Sequence, residues 1–446
     1  MNEKLTIKNR LVVASLIFGL LFGAGNLIFP ISLGQVAGGH YTPSMLGFNI
    51  TAVGLPLLGI VALGLSESES VIDMAKHVSI PYAYFFTIAL YLTIGPLFAT
   101  PRTATVSFEV GIATALPAEY VQIALLIYSS LFFLAVLYFA LRPSGLLDWV
   151  GIYLNPTFLV LLAVIVVRAF TSGFPLITED SSQFVSSTEA FSVGFLEGYN
   201  TMDVLASLAF GILAIQSIKQ FGVRSSGKVA HELVVSGVIS LVAMGFVYAC
   251  LELLGTQSLN FTEVSPNGGV ALSIITQHYF GLFGQVILAA VMIVACLKTA
   301  IGLVVALAEA FSELMPGFLS KKSWTITATL VSFLVANIGL ERIISYSIPV
   351  LMLLYPLAIT LILLHLVKPL DGKRRVFQSV TAFTFVAGVF DMAKVLPAEL
   401  SQFLPVESLV GFAERVLPFY AYGFGWVMPA VVGLVVGLVL ERVLGE

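Results

Sequence analysis

The sequence predicts an all-α integral membrane protein with twelve membrane-crossing helices, on three observations. Of its 446 residues 58% are apolar and only 10% charged, against roughly a quarter charged in soluble proteins. Twelve apolar stretches read as spans, eleven of them reaching the length of about 17 to 25 residues that spans a bilayer and the ninth falling just short, and no segment between them is long enough for a soluble domain. In hydrocarbon the backbone must satisfy its own hydrogen bonds, so each stretch reads as a helix.

The first stretch, about 11 to 34, follows Lys4, Lys8 and Arg10 and continues past Gly23-Ala24-Gly25 to Leu33, too long for a signal-peptide core. Next come 42 to 65 and 81 to 112, the latter carrying Pro96 and Pro101, which interrupt backbone bonds. Residues 119 to 140 and 146 to 170 give the fourth and fifth, before a loop over 171 to 189 whose Glu179, Asp180 and Ser/Thr content mark a solvated external connection. The sixth, 190 to 215, and seventh, 230 to 255, lead to a loop over 256 to 279. Then follow 280 to 314, 324 to 338, 343 to 366 and 376 to 394, a loop over 395 to 419, and the twelfth stretch, 420 to 441.

An even number of spans places both termini on one side. Fifteen Lys and Arg residues fall in the loops of that side, and only Arg168, Arg342, Lys394 and Arg415 in the opposite set, so both termini are expected in the cytoplasm. Arg102 and Lys298 remain inside spans. A net charge of −4 gives no reason to expect nucleic acid, and no basic run forms a lipid-specific arm, so lipid enters as the solvent of the spans. Cys250 and Cys296 lie in apolar runs and read as packing residues. The histidines, residues 40, 77, 231, 278 and 365, are dispersed without ligand spacing. No P-loop, nucleophile elbow or catalytic pair is present, which argues against an enzyme and against ATP hydrolysis. Sparse, asymmetric polar residues argue against a channel.

Two spans are interrupted. "FGLLFGAGNLIFP", Phe18 to Pro30, holds three glycines, Asn26 and Pro30 inside the first apolar run. A freed N–H or C=O in hydrocarbon costs several kcal/mol unless something satisfies it. "FLEGYNTMDVLASLAFG", Phe195 to Gly211, breaks the sixth run with Gly198, Asn200, Thr201 and Asp203. Five spans apart, the two breaks enter the membrane from opposite sides, as in inverted repeats of secondary transporters, where half-helix ends hold substrate and ions at the midplane.

The chain resembles the bacterial branched-chain amino acid carriers, the BrnQ-type cation symporters. The resemblance rests on "GAGNLIFP" (23 to 30), "TAVGLPLLGIVAL" (51 to 63), "IGPLFATPRTATVSFEVG" (94 to 111) and "TMDVLASLAFG" (201 to 211). That family is similar in organisation to amino-acid transporters of the LeuT type. The resemblance implies a ten-helix 5+5 core over residues 1 to 370, with repeats about 11 to 170 and 190 to 366 and discontinuous helices 1 and 6. Two further helices would occupy 371 to 446. It also implies a symporter in the bacterial cytoplasmic membrane that moves leucine, isoleucine and valine inward on a sodium or proton gradient, without a cofactor. The other reading is a sodium-independent, proton-coupled carrier or exchanger of hydrophobic amino acids.

A zwitterionic amino acid needs donors, acceptors and an apolar container. Free amides of Gly23, Ala24 and Gly25, beside Asn26, would face its carboxylate. Carbonyls near Tyr199, Asn200 and Thr201 would accept from its ammonium, and Asp203 either reinforces them or caps the second half-helix. Phe98, Tyr199 and Met202 would wall the aliphatic side chain. By resemblance, a sodium ion would lie between the Gly19 and Phe22 carbonyls and the segment "ACLKTAIGL", Ala295 to Leu303, where two hydroxyl residues are usual; Thr299 fits and Lys298 does not. A second cation position would use the Asn26 side-chain oxygen, the Leu21 carbonyl and the Thr201 hydroxyl. Lys298 either puts its ammonium in the cation position or points to water. Arg102, with Glu109 two turns on, reads as a gate or helix-locking pair, or as a donor to freed carbonyls.

Overall fold

A computed structural model describes residues 4–444 except 24, 67, 69, 114–115, 143–159, 161, 172–183, 368–369, 371 and 404. The described residues are helical almost throughout. Helices α1 (Ile7–Leu21) and α2 (Gly25–Ala37) form the first broken pair, bent by 70°. Next are α3 (Tyr41–Asn49) and α4 (Leu55–Leu65), joined through a wide π turn at Ile50–Gly54 that accommodates Pro56. A short α5 (Val71–Lys76) precedes α6 (Ile80–Leu92) and α7 (Ala99–Gly111), which meet at a kink where Gly95 leaves helical geometry beside Pro96. Helix α8 spans Ala118–Ala140.

The second broken pair is α9 (Ser187–Glu197) and α10 (Asp203–Gln220), bent by 46° around a 3-10 turn at Gly198–Thr201. Then follow α11 (Ser226–Ser258), α12 (Gly268–Leu314), α13 (Lys321–Ala336), α14 (Leu340–Leu366), α15 (Arg374–Lys394), α16 (Val406–Val416) and α17 (Val427–Leu444).

Among the described residues seven helices are long and apolar enough to cross a membrane, or nine if each bent pair is one span. The fifth predicted span, 146 to 170, lies mostly outside the described residues, with helical backbone from 162 to 170. The ninth and twelfth correspond to α13 and α17, of only 16 and 18 residues. Two predicted loops need correction. The segment 256 to 279 contains the first part of α12, started by Asn267, whose side chain accepts from the amides of Gly269 (3.0 Å) and Val270 (3.1 Å). Gly281, at φ +61, breaks α12 before the membrane portion. The segment 395 to 419 contains α16.

Close packing depends on glycines used in reciprocal pairs. A Cβ added to Gly34 of α2 would lie 1.9 Å from the Glu252 carbonyl oxygen of α11, and one added to Gly255 of α11 would lie 2.1 Å from the Ile31 oxygen of α2. The same arrangement joins α9 to α3: Gly194 would meet the Ser44 oxygen at 2.1 Å, and Gly47 the Phe191 oxygen at 2.1 Å. Between helices in lipid, small residues permit the backbone approach that supplies van der Waals energy. Helix α10 packs on α4, and α1 on α11, where Arg10 grips Glu232 by two bonds of 2.7 and 2.9 Å. Helices α15 and α17 pack on each other, and α15 also packs on α14.

Candidate functional site

The first break is built by one side chain. Helix α1 makes its last backbone bond from Phe22 N–H to the Phe18 oxygen (2.8 Å). Were the helix to continue, Gly23 N–H would bond the Gly19 carbonyl; it donates instead to Asn26 Oδ1 at 2.9 Å. The Gly19 carbonyl is thereby released from the helix, as a cation ligand requires. Thr299 of α12 abuts this point, its methyl 3.6 Å from where a Gly23 Cβ would stand, while its hydroxyl donates to the Ala295 carbonyl (3.1 Å). Leu21 ends α1, and Ala24 lies outside the described residues.

Lys298 does not take the place considered for it. It is half-buried and makes no hydrogen bond or ion pair among the described residues, so its ammonium is not bonded to the Gly19 and Phe22 carbonyls. The residue that abuts the break is its neighbour Thr299.

The second break is closed by its own hydroxyl. Thr201 Oγ1 donates to the Gly198 carbonyl (2.9 Å) and accepts from Asp203 N–H (3.3 Å), while Met202 adopts a left-handed conformation at φ 61. Asp203 neither caps α10 with its side chain nor stands free. Its carboxylate accepts from Asn26 Nδ2 at 2.6 Å and from the Tyr248 hydroxyl of α11 at 3.3 Å, and Asn26 Nδ2 also contacts that hydroxyl. Asn26, Asp203 and Tyr248 are all at most 2% exposed. The two broken helices therefore meet through one buried polar link, in which Tyr248 was not foreseen from the sequence. One lone pair of Asn26 Oδ1 is engaged by Gly23, which leaves a second for another partner.

Arg102 is 3% exposed and donates to the Asn200 carbonyl at 2.5 Å and to Ser347 Oγ of α14 at 3.1 Å. It therefore binds a freed carbonyl, but in the sixth-span break rather than in its own helix. A locking pair with Glu109 is not formed: seven residues along a helix separate them by about 10 Å, and Glu109 sits half-buried beside Gly269. The Asn200 amide donates to Glu197 Oε2 at 3.1 Å. Tyr199 stacks on Tyr355 of α14 at 4.1 Å, and Phe98, Tyr199 and Met202 are all buried. The histidines are less dispersed than their spacing implies, since His77, at the end of α5, and His365, in the last turn of α14, come within 3.3 Å; no group of three metal-ligand side chains occurs among the described residues.

An all-helical membrane protein whose two bent helices face each other across such a link has the architecture of a LeuT-type transporter. The structure is similar over 97% of the chain to that of Mhp1, a nucleobase-cation-symport-1 family transporter, in a closed conformation with bromovinylhydantoin bound (TM-score 0.62, 11% identity, 92% of that chain). It is likewise similar to MhsT in complex with L-phenylalanine (TM-score 0.59, 14% identity, 97% of this chain and 99% of that one). At such identities the likeness carries the fold alone.

The chain belongs to the family of branched-chain amino acid transport proteins, whose pattern matches residues 6–444. It is 47% identical over 436 residues to the branched-chain amino acid permease BrnQ of Lactobacillus delbrueckii subsp. lactis, covering 97% of this chain and 96% of that protein. It is 39% identical over 451 residues to the permease BraB of Bacillus subtilis (strain 168), covering 100% and 98%. It is thus a multi-pass membrane transport protein and not an enzyme.

Proposed function

We propose that the protein imports leucine, isoleucine and valine across the bacterial cytoplasmic membrane by cation symport with alternating access, both termini facing the cytoplasm. The observation that carries this reading is the meeting of the two broken helices through Asn26 and Asp203, which puts free half-helix ends of opposite polarity at one place. The amide of Gly25 serves the carboxylate, the Gly23 N–H being given to Asn26 Oδ1, and the turn at Gly198–Thr201 supplies a carbonyl for the ammonium. A sodium ion fits beside the released Gly19 carbonyl and Thr299 better than a proton carried by Lys298, because that lysine has no partner there.

Twelve spans in a 5+5 inverted repeat, with residues 1 to 370 as core, are part of the same proposal. Exchanging span 1 with 6 and span 2 with 7 converts the α2 and α11 contact into that of α10 with α4, and the α1 and α11 contact into that of α9 with α3. All four contacts are formed, which supports the repeat. The two further helices, α15 and α17, pair with each other at its edge.

The test is uptake of labelled leucine into proteoliposomes with sodium and pH gradients imposed separately. Accumulation driven by inward sodium at fixed pH is expected, with competition by isoleucine and valine and none by lysine or aspartate, since an apolar container cannot solvate a second charge. Accumulation driven only by pH would replace sodium with a proton, and competition by lysine would reject the substrate class.

Lys298→Met provides a separate check. With no bonded partner to lose, the variant should keep leucine uptake within about threefold of wild type, the range of about 0.5 kcal/mol seen for substitutions away from special contacts, and the same sodium dependence. Collapse of uptake would return the lysine to the ion site.

A further inference from the structure

Arg102 sits where the proposed zwitterion binds, and its surroundings are those of a cation short of an anion. Its guanidinium has five N–H donors, of which the Asn200 carbonyl and Ser347 take two; Nε is buried without a partner. It forms no ion pair among the described residues; Glu197, the acid of the same bonded chain, attracts it only at longer range, its Oε2 being bonded to the Asn200 amide. One face of the group lies over the Phe29 ring, 5.0 Å from its centre. Nη1 is 3.7 Å from the point where a Cβ of Gly25 would stand, so the guanidinium looks onto the first residue of α2. That helix runs 13 residues and presents its unbonded amides and positive end there. Two positive ends facing each other in a dry interior repel, and an anion held between them stabilises both.

We infer that Arg102 is the anchor of the substrate's α-carboxylate, gripping it opposite the amide end of α2. This deepens the transport reading above and rests on it. The planar guanidinium suits a carboxylate through two parallel N–H bonds, and the missing side chain of Gly25 leaves the approach open. It also revises the ammonium's place: the carbonyls of Gly198, Tyr199 and Asn200 already accept from Thr201 Oγ1, Met202 N–H and Arg102, so the ammonium belongs with the Thr201 carbonyl.

The experiment measures equilibrium binding to purified full-length protein of L-leucine and of L-leucinamide, which keeps the ammonium and side chain but lacks the carboxylate. Wild type should bind leucine at least about tenfold more tightly than leucinamide, as charge-assisted bonds of this kind require. Arg102→Gln should lose at least about tenfold for leucine while binding leucinamide as well as wild type or better, because the repulsion between two cations is gone. Arg102→Lys should retain part of the leucine affinity. If leucine and leucinamide weaken together in Arg102→Gln, or if wild type holds them equally, Arg102 only braces the second break and the inference falls. The wild-type comparison stands even if Arg102→Gln does not fold. Failure of wild type to bind leucine at all would instead sink the transport reading.

Discussion

Gly34→Ala is expected to leave little folded protein, although it adds a single methyl group. The new Cβ would stand 1.9 Å from the Glu252 carbonyl oxygen, 2.8 Å from its carbon and 3.0 Å from the Thr256 nitrogen. These are backbone atoms of a helix, which cannot rotate aside as a side chain does. Helix α2 must move off α11 along its whole contact, which also loosens the Gly255 approach to the Ile31 oxygen and the bond from Thr256 Oγ1 to the Gly34 carbonyl (2.9 Å). In lipid no hydrophobic force draws the helices back, so the cost should exceed the roughly 1–3 kcal/mol of ordinary overpacking. Gly302→Ala is the control, since nothing lies within 4 Å of a Cβ there. Thermal unfolding of the two detergent-purified variants, followed by size-exclusion profile, decides the matter. A monodisperse Gly34→Ala with the wild-type midpoint would show that α2 and α11 do not pack this closely.

What the sequence discloses depends on how local the signal is. Both breaks were legible because Gly and Asn, with Pro or Asp, cluster within a few residues of an apolar run, whereas glycine alone also serves close helix packing. The start of α12 was equally local and was overlooked: Asn267 before Gly268-Gly269 is an N-cap signal inside what reads as a loop. That Thr299 rather than Lys298 abuts the first break was not legible, since the resemblance places both positions beside the ion. Other partners carry no local mark. Tyr248 lies in an apolar run, 222 residues from Asn26, and Ser347 lies 245 residues from Arg102. Nothing in their neighbourhoods says which face of their helix meets the site. His77 and His365 are 288 residues apart, and their meeting follows from how α14 crosses α5 rather than from any spacing.

Asp203→Ala should abolish leucine transport, because this carboxylate sets the geometry of both breaks at once. It accepts from Asn26 Nδ2 at 2.6 Å; the other end of that amide, Oδ1, takes the Gly23 N–H at 2.9 Å and so releases the Gly19 carbonyl. Removing the carboxylate frees the Asn26 side chain to turn, and α1 can then extend through Gly23 and recapture that carbonyl. It also leaves the Tyr248 O–H and one Asn26 N–H without an acceptor in a dry interior, at about 1–3 kcal/mol for each unpaired donor. Two such groups, about 2–6 kcal/mol together, amount to at least about thirtyfold, since each 1.4 kcal/mol is about tenfold. Asp203→Asn keeps an oxygen able to accept from Asn26 but loses the charge, and a loss of about tenfold is expected, by the difference between charge-assisted and neutral bonds. Initial rates of leucine uptake in proteoliposomes, with unfolding midpoints to exclude a folding defect, give the comparison. A folded Asp203→Ala that transports at half the wild-type rate would mean that the link between the broken helices is structural filler and that the binding geometry is set elsewhere.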